Sequence, residues 1–272
     1  MRIPTFLAIT GAIAITTATT TPTFAQALQD QYRKVEYNIP MRDGRTLYTA
    51  VYIPRKPQPG KLPILLERTP YGAGPYGPNA YRGSIRGSKK LHDGSYIFAF
   101  QEVRGQNESQ GYFANIRPQL QIKTGPHDVD ESTDTYDTVD YLIKNVPDNK
   151  ARVGLWGFSY PGFYAGIGAI NTHPALKAVS PQAPVSNWYI GDDFHHNGAL
   201  MLMDAVRFAT FGETTSSGAG FGFTLPGNED AYANFMALGT LSMITNRFFT
   251  KTDGLWKDFV NHPDYDDFWQ AR

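Results

Sequence analysis

Cysteine is missing from all 272 residues, so disulfides, a thiolate nucleophile and cysteine-ligated zinc are excluded. Net charge is missing as well, because 25 Lys and Arg balance 25 Asp and Glu. A chain without an excess of either sign carries no electrostatic footprint for nucleic acid or an anionic membrane surface. The apolar run Ile3 to Ile15 falls short of the roughly 20 residues a membrane-crossing helix needs. No internal repeat is visible. What is plentiful is apolar and aromatic surface, 41% and 14% of residues, ample for a large packed core. The 26 glycines and 19 prolines forecast many turns rather than long helices.

The first 25 residues stand apart. Arg2 leads into Ile3 to Ile15, then small polar residues run to Thr23-Phe24-Ala25 before Gln26. That is the form of a secretory signal cut after Ala25, which makes the mature protein secreted or periplasmic. A buried N-terminal helix fits poorly with the threonine run and the missing charges.

Val35, Tyr37 and Ile39 alternate, a turn follows at Arg42-Asp43-Gly44, and Leu47 to Ile53 alternates again; Asp-Gly between two such runs predicts a hairpin. Leu62 to Leu66 and Tyr96 to Val103 read as strands, the first fully buried. Thr135, Val139, Leu142, Ile143 and Val146 give one apolar face to a helix over 128–145. Val153 to Trp156 and Leu176 to Val179 are further strands. A hairpin followed by alternating strand and helix predicts an α/β fold, a mostly parallel sheet covered on both faces. Beyond Ser186 the pattern turns helical: a stripe Ala199, Leu202, Met203, Val206, Ala209, then helices over 228–238 and 253–260 and a last one at Tyr265, Phe268 and Trp269. A Gly/Ser/Thr stretch at 212–227 separates them. No strand is expected after Val179.

The chemistry concentrates at Gly157-Phe158-Ser159-Tyr160-Pro161-Gly162. Strand, tight turn with serine at its tip and a following helix over 163–170 make the layout of a nucleophile elbow. Such a turn presents the hydroxyl beside a helix N-terminus, whose free N–H groups favour developing negative charge. The usual second glycine of G-x-S-x-G is Pro161 here, with Gly162 one place later, so an ordinary strand-to-helix turn stays open on the motif alone. The acids Asp128, Asp130, Glu131 and Asp134 lack the glycine a calcium loop needs; they complement the dipole of a helix start. Asp192, Asp193, His195 and His196 could be read as a metal site, but adjacent histidines diverge and rarely reach one ion.

Four segments in order, Arg68-Thr69-Pro70-Tyr71-Gly72, Val103-Arg104-Gly105 with Ser109 and Gly111, the Gly157–Gly162 elbow, and Gly191-Asp192-Asp193-Phe194-His195-His196, resemble the α-amino-acid ester hydrolases, relatives of cocaine esterase, glutaryl acylases and Xaa-Pro dipeptidyl peptidases. The resemblance runs from about residue 33 to the C-terminus, with Glu102 where the family usually has Asp. It implies an α/β-hydrolase fold, its core over 26–185 and a helical cap over 186–272. It implies Ser159 as the nucleophile that forms an acyl-enzyme, the backbone N–H of Tyr160 and the hydroxyl of Tyr71 as oxyanion donors, and Asp193 as a carboxylate that holds the substrate's α-ammonium group. The implied substrates are small esters or amides, or short peptides. No cofactor or metal is called for; homo-oligomers of the full-length protein stay open.

A serine nucleophile needs a base and an orienting acid, and in this fold they follow the serine in the order acid, then histidine. His173 and His262 each stand in an X-His-Pro helix-stop setting, and His195 and His196 at the start of the helical region. None follows a strand-borne acid. The expectation is therefore an N-terminal part of a larger hydrolase, its sheet incomplete on the C-terminal side. Rival readings are an Xaa-Pro dipeptidyl peptidase, a glutaryl-type acylase, or, from another class, an inactive ligand-binding chain that keeps the pocket.

Overall fold

The computed structural model describes residues 24–85, 89–191, 194–209, 230–249 and 254–272. The expected signal segment, apart from its last two residues, lies outside the described residues. So do Asp192, Asp193 and the 212–227 stretch.

Helix α1 (Phe24–Gln31) leads into the hairpin of β1 (Tyr32–Pro40) and β2 (Thr46–Pro54). The hairpin closes at Gly44, whose φ of +81° suits glycine, with the Met41 N–H donating to Arg45 O at 2.7 Å. Strands β3 (Leu62–Thr69), β4 (Ile97–Glu102), β5 (Asn149–Phe158) and β6 (Leu176–Gln182) complete a six-stranded sheet in the order β1-β2-β4-β3-β5-β6. Both pairings of β2 are antiparallel; β4, β3, β5 and β6 run parallel to one another. The mostly parallel sheet expected from the pattern is present.

Strand β4 has no exposed residue: Ile97 and Ala99 enter one apolar cluster, Phe98 and Phe100 another. Each such large side chain is worth about 1.5–3 kcal/mol when buried, so β3 and β4 anchor the frame that carries the site. At the other extreme is β6, the outer strand, where residues 177–182 are exposed.

Helix α2 (Glu131–Asn145) starts at a capping box: Asp130 Oδ1 accepts the Thr133 N–H and Thr133 Oγ1 accepts the Asp130 N–H, both at 2.9 Å. Thr135, Val139 and Leu142 face the core as their spacing predicted. The acids at its start do more than complement a dipole. Asp130, Glu131 and Asp134 are buried. Arg68, fully buried on β3, donates from Nη1 to Glu131 Oε2 (3.1 Å), Glu131 O (2.9 Å) and Thr135 Oγ1 (3.0 Å), and from Nε to Gln101 Oε1 (2.8 Å). Arg104 bridges Asp134 and Asp43 at 2.7 Å each, tying helix to hairpin turn. Asp128 sits before the helix and accepts from the Thr124 and Gly125 N–H groups.

Helix α3 (Tyr160–Ile167) begins three residues earlier than the expected 163, because the chain turns into helix directly at Ser159. It ends at Gly168, where a Cβ would lie 2.6 Å from Thr135 Oγ1, so α3 and α2 approach too closely for a side chain. The expectation of no strand after 179 is corrected by a small hairpin, β7 (His195–His196) with β8 (Ala199–Leu200), closed by Asn197-Gly198, both at positive φ. Ala199 therefore leaves the helical stripe, and Met203 is exposed; Leu202, Ala205, Val206 and Ala209 make the inward face of α4 (Leu202–Ala209). Helices α5 (Ala231–Leu238), α7 (Leu255–Asn261) and α8 (Asp267–Gln270) lie where expected, while α6 (Leu241–Phe248), capped after Gly239-Thr240, was not anticipated. One apolar cluster joins Tyr160, Phe163 and Tyr164 of α3 to Trp188, Phe194, Val206, Ile244, Trp256 and Trp269. The helical region thus packs directly on the helix that follows the serine.

Candidate active site

Ser159 stands between β5 and α3 with φ 62° and ψ −125°, a conformation L residues avoid and that costs about 1–3 kcal/mol. The surroundings hold it there. Its N–H donates to Gln182 O at the end of β6 (3.0 Å), and its carbonyl accepts the Phe163 N–H (3.0 Å). A Cβ on Gly157 would meet Pro161 O at 2.1 Å, and one on Gly162 would meet Gln182 O at 2.5 Å. Both glycines are therefore sterically required, and the displaced second glycine of the motif does the packing work from position 162. Ser159 is half-buried, with Phe158 beside it exposed. The turn is a strained elbow, not an ordinary strand-to-helix turn.

Gly157→Ala should lower stability by at least about 2 kcal/mol, since backbone must move to admit the methyl. A urea midpoint unchanged from the wild type would contradict this close packing.

Tyr160 opens α3, so its N–H lies in the first turn, where no intrahelical acceptor exists. Its ring is buried and stacked on Tyr164 (5.0 Å), and its hydroxyl accepts the Ile116 N–H (3.0 Å) and donates to Asn115 Oδ1 (3.1 Å). Burial pushes this phenol up, with the charges of Glu131 and Tyr71 adding to the shift. Tyr71, half-buried, packs on the same cluster, so the structure brings the two tyrosines together. Its N–H donates to Thr69 Oγ1 (3.1 Å).

The loop that follows Tyr71 is clamped from two strands. Lys34 Nζ, buried on β1, donates to the carbonyls of Pro75, Gly77 (3.2 Å) and Ala80 (3.0 Å). Glu36 accepts from the Gly77 N–H (2.8 Å), the Tyr48 hydroxyl (2.5 Å) and pairs with Lys34 (2.7 Å). Burial works to raise the Glu36 carboxyl, but these donors outweigh it and hold it below the usual range. From β4, Glu102 accepts from Ala73, Tyr76 and Glu108. Lys34, Glu36 and Glu102 are site residues that no motif in the sequence marks. A signal existed: Tyr32, Lys34 and Glu36 share one strand face, so two charges lie in phase with a buried tyrosine.

The histidines are engaged elsewhere. His173 Nδ1 accepts the Ala175 N–H (3.0 Å). His262 caps α7, its ring 2.6 Å from Asp266 Oδ2 and stacked on Phe268. His195 is buried against Tyr189, centroids 3.9 Å apart, and burial lowers its pKa. Asp193 lies outside the described residues.

Residues 43–272 match the X-Pro dipeptidyl-peptidase family, family S15. The chain belongs to that family. Among solved structures, this S15 chain is 32% identical to an aminopeptidase from a marine sediment Thaumarchaeota archaeon (TM-score 0.77) and 33% identical to an α-amino acid ester hydrolase (TM-score 0.76). Each comparison covers 96% of this chain and 42% of the other. The S15 chain thus spans less than half the length of either. A CocE/NonD family hydrolase from Staphylococcus aureus, 18% identical over 88% of this chain and 37% of that one, shares the fold (TM-score 0.51). No curated protein matches. The fold is that of the α/β-hydrolases, and the S15 elbow stands at the C-terminal end of β5, parallel to β3 and β6 on either side.

Proposed function

We propose that the protein is a serine hydrolase that cleaves, and can transfer, the acyl group of α-amino-acid esters or amides through an acyl-enzyme on Ser159. The single observation that carries this is the strained serine at the strand-to-helix turn, held at φ 62° by Gly157, Gly162 and the Gln182 carbonyl. Strain of that kind persists only where neighbours over-determine it, and it clusters at active sites. The attacking Oγ bonds to the carbonyl carbon and the leaving alcohol or amine departs; water then attacks the acyl-enzyme and frees the acid. The Tyr160 N–H and the Tyr71 hydroxyl are the proposed donors to the oxyanion. A histidine base, oriented by an acid, would take the Ser159 proton and return it to the leaving group; neither role is assigned among the described residues. The form of residues 1–25 supports a secreted or periplasmic enzyme.

Two of the similar structures share one substrate chemistry. The aminopeptidase and the α-amino acid ester hydrolase are both named for substrates with an α-amino group beside the acyl carbon. A carboxylate near the acyl pocket selects for that cation, and Asp193 is the residue proposed for it. In the full-length protein, turnover of an α-amino ester should exceed that of its deaminated analogue, and Asp193→Asn should erase the preference while sparing the neutral ester. Equal rates on both esters in the unaltered protein would refute the substrate class. The family itself favours one second reading, an Xaa-Pro dipeptidyl peptidase; a requirement for proline before the scissile bond would select it.

A further inference from the structure

Glu102 closes β4 with its side chain fully buried, and its carboxylate is divided between two loops. Oε1 accepts from the Ala73 N–H (2.9 Å) and the Tyr76 hydroxyl (2.7 Å); Oε2 accepts from the Glu108 N–H (2.8 Å). Ala73 is two residues past Tyr71. Between them Gly72 takes φ +97°, a left-handed turn at which an added Cβ would lie 3.8 Å from Glu102 Oε1. Upstream, Thr69 receives the Tyr71 N–H on its hydroxyl and the Val103 N–H on its carbonyl (3.0 Å). Tyr71 is thus pinned on one side to the end of β3 and on the other to the end of β4.

We propose that Glu102 is a positioning residue for the Tyr71 hydroxyl, fixing the loop that aims it at the oxyanion; this rests on the reading of Tyr71 given above. Two features favour this over a merely structural acid. The donors are two loop N–H groups and one loop hydroxyl, so the carboxylate serves loop geometry and no strand or helix. Both oxygens are used, so a neutral isostere cannot stand in: the amide of Gln would set an N–H against the Ala73 or Glu108 N–H. Burial raises the Glu102 carboxyl, and the Ala73, Tyr76 and Glu108 donors work against that rise. An oxyanion contact is made in the transition state and not in the ground state, so a misplaced Tyr71 lowers kcat and leaves KM nearly unchanged.

The test is a mutant cycle on α-amino ester turnover by the full-length protein. Tyr71→Phe should lower kcat by about 10²- to 10³-fold. Glu102→Gln should lower it by up to about 10²-fold, the scale of a small misplacement of a reacting group, with KM nearly unchanged. Glu102→Asp, which keeps the carboxylate, should recover most of that loss. Added to Tyr71→Phe, Glu102→Gln should cost nothing further. If Glu102→Gln does not fold, Tyr76→Phe, which removes one donor from a half-exposed ring, gives the same cycle with a smaller kcat loss. An unchanged kcat in Tyr71→Phe would overturn the oxyanion reading itself. A normal loss in Tyr71→Phe, together with an unaffected, KM-only or fully multiplicative Glu102→Gln, would overturn the positioning role alone.

Discussion

Ser159→Ala in the full-length protein should lose about 10⁴- to 10⁶-fold in kcat, the scale seen when a serine nucleophile is removed, and should no longer be labelled by a fluorophosphonate. The fold should survive the change. Ser159 Oγ makes no capping bond to α3, and the residue is half-buried, so removing it orphans no buried donor. Alanine at φ 62° keeps the strain that serine already bears. Activity and stability are therefore expected to separate: the melting curve of Ser159→Ala stays with the wild type while turnover vanishes. Retained labelling in the alanine variant would move the nucleophile elsewhere and remove the central role given to the elbow.

Arg68→Met should give the largest loss of stability, about 3–5 kcal/mol, because it strips the cation from buried carboxylates and leaves them uncompensated. Glu131 Oε2 lies 3.1 Å and Asp134 Oδ2 3.7 Å from the guanidinium, all of them buried. A chain of this size should show it as a fall in Tm of roughly 6–20 °C. The pH dependence has a definite sign. Burial raises the Glu131 carboxyl even in the wild type, with Arg68 opposing; removing Arg68 raises it further. A carboxyl raised on folding destabilises when ionised, above its folded pKa, and ceases to do so below its unfolded pKa. The deficit of Arg68→Met is therefore greatest at neutral pH and narrows as pH falls through the variant's Glu131 pKa. A deficit that grows on acidification would show that Glu131 is not the group left stranded. Replacing the partners together with apolar residues would not repeat the loss, since the charges are then gone as well.

Local signals carried most of the fold. Asp43-Gly44 between alternating runs marked the hairpin, and the buried strands read as continuous apolar stretches. The elbow is legible because one of its glycines answers a contact only four residues away, Gly157 against Pro161, although Gly162 answers the distant Gln182 carbonyl. What escaped depends on residues far apart in sequence. Arg68 and Glu131 are 63 positions apart, and an acid at a helix start looks the same whether it faces water or a buried guanidinium. Glu102 stands in the sequence only as a departure from the family's Asp; its partners are the N–H groups of Ala73 and Glu108, which no side-chain pattern reveals. Helix α3 begins at Tyr160, ahead of the expected 163, because the chain enters helix directly after Ser159 and the first turn accommodates Pro161. The β7–β8 hairpin was missed although Asn197-Gly198 is a strong two-residue turn signal, because its strands are only two residues long.

The edge strand β6 has a hold on the serine turn. Gln182, last residue of β6, gives its carbonyl to the Ser159 N–H and stands against Gly162, so the sheet's rim acts as a stop for the Ser159 backbone. A shift of that rim is transmitted through a single peptide group to Ser159. A slip of one residue there would set a neighbouring carbonyl in Gln182's place and unseat the serine, leaving the interior of the sheet undisturbed.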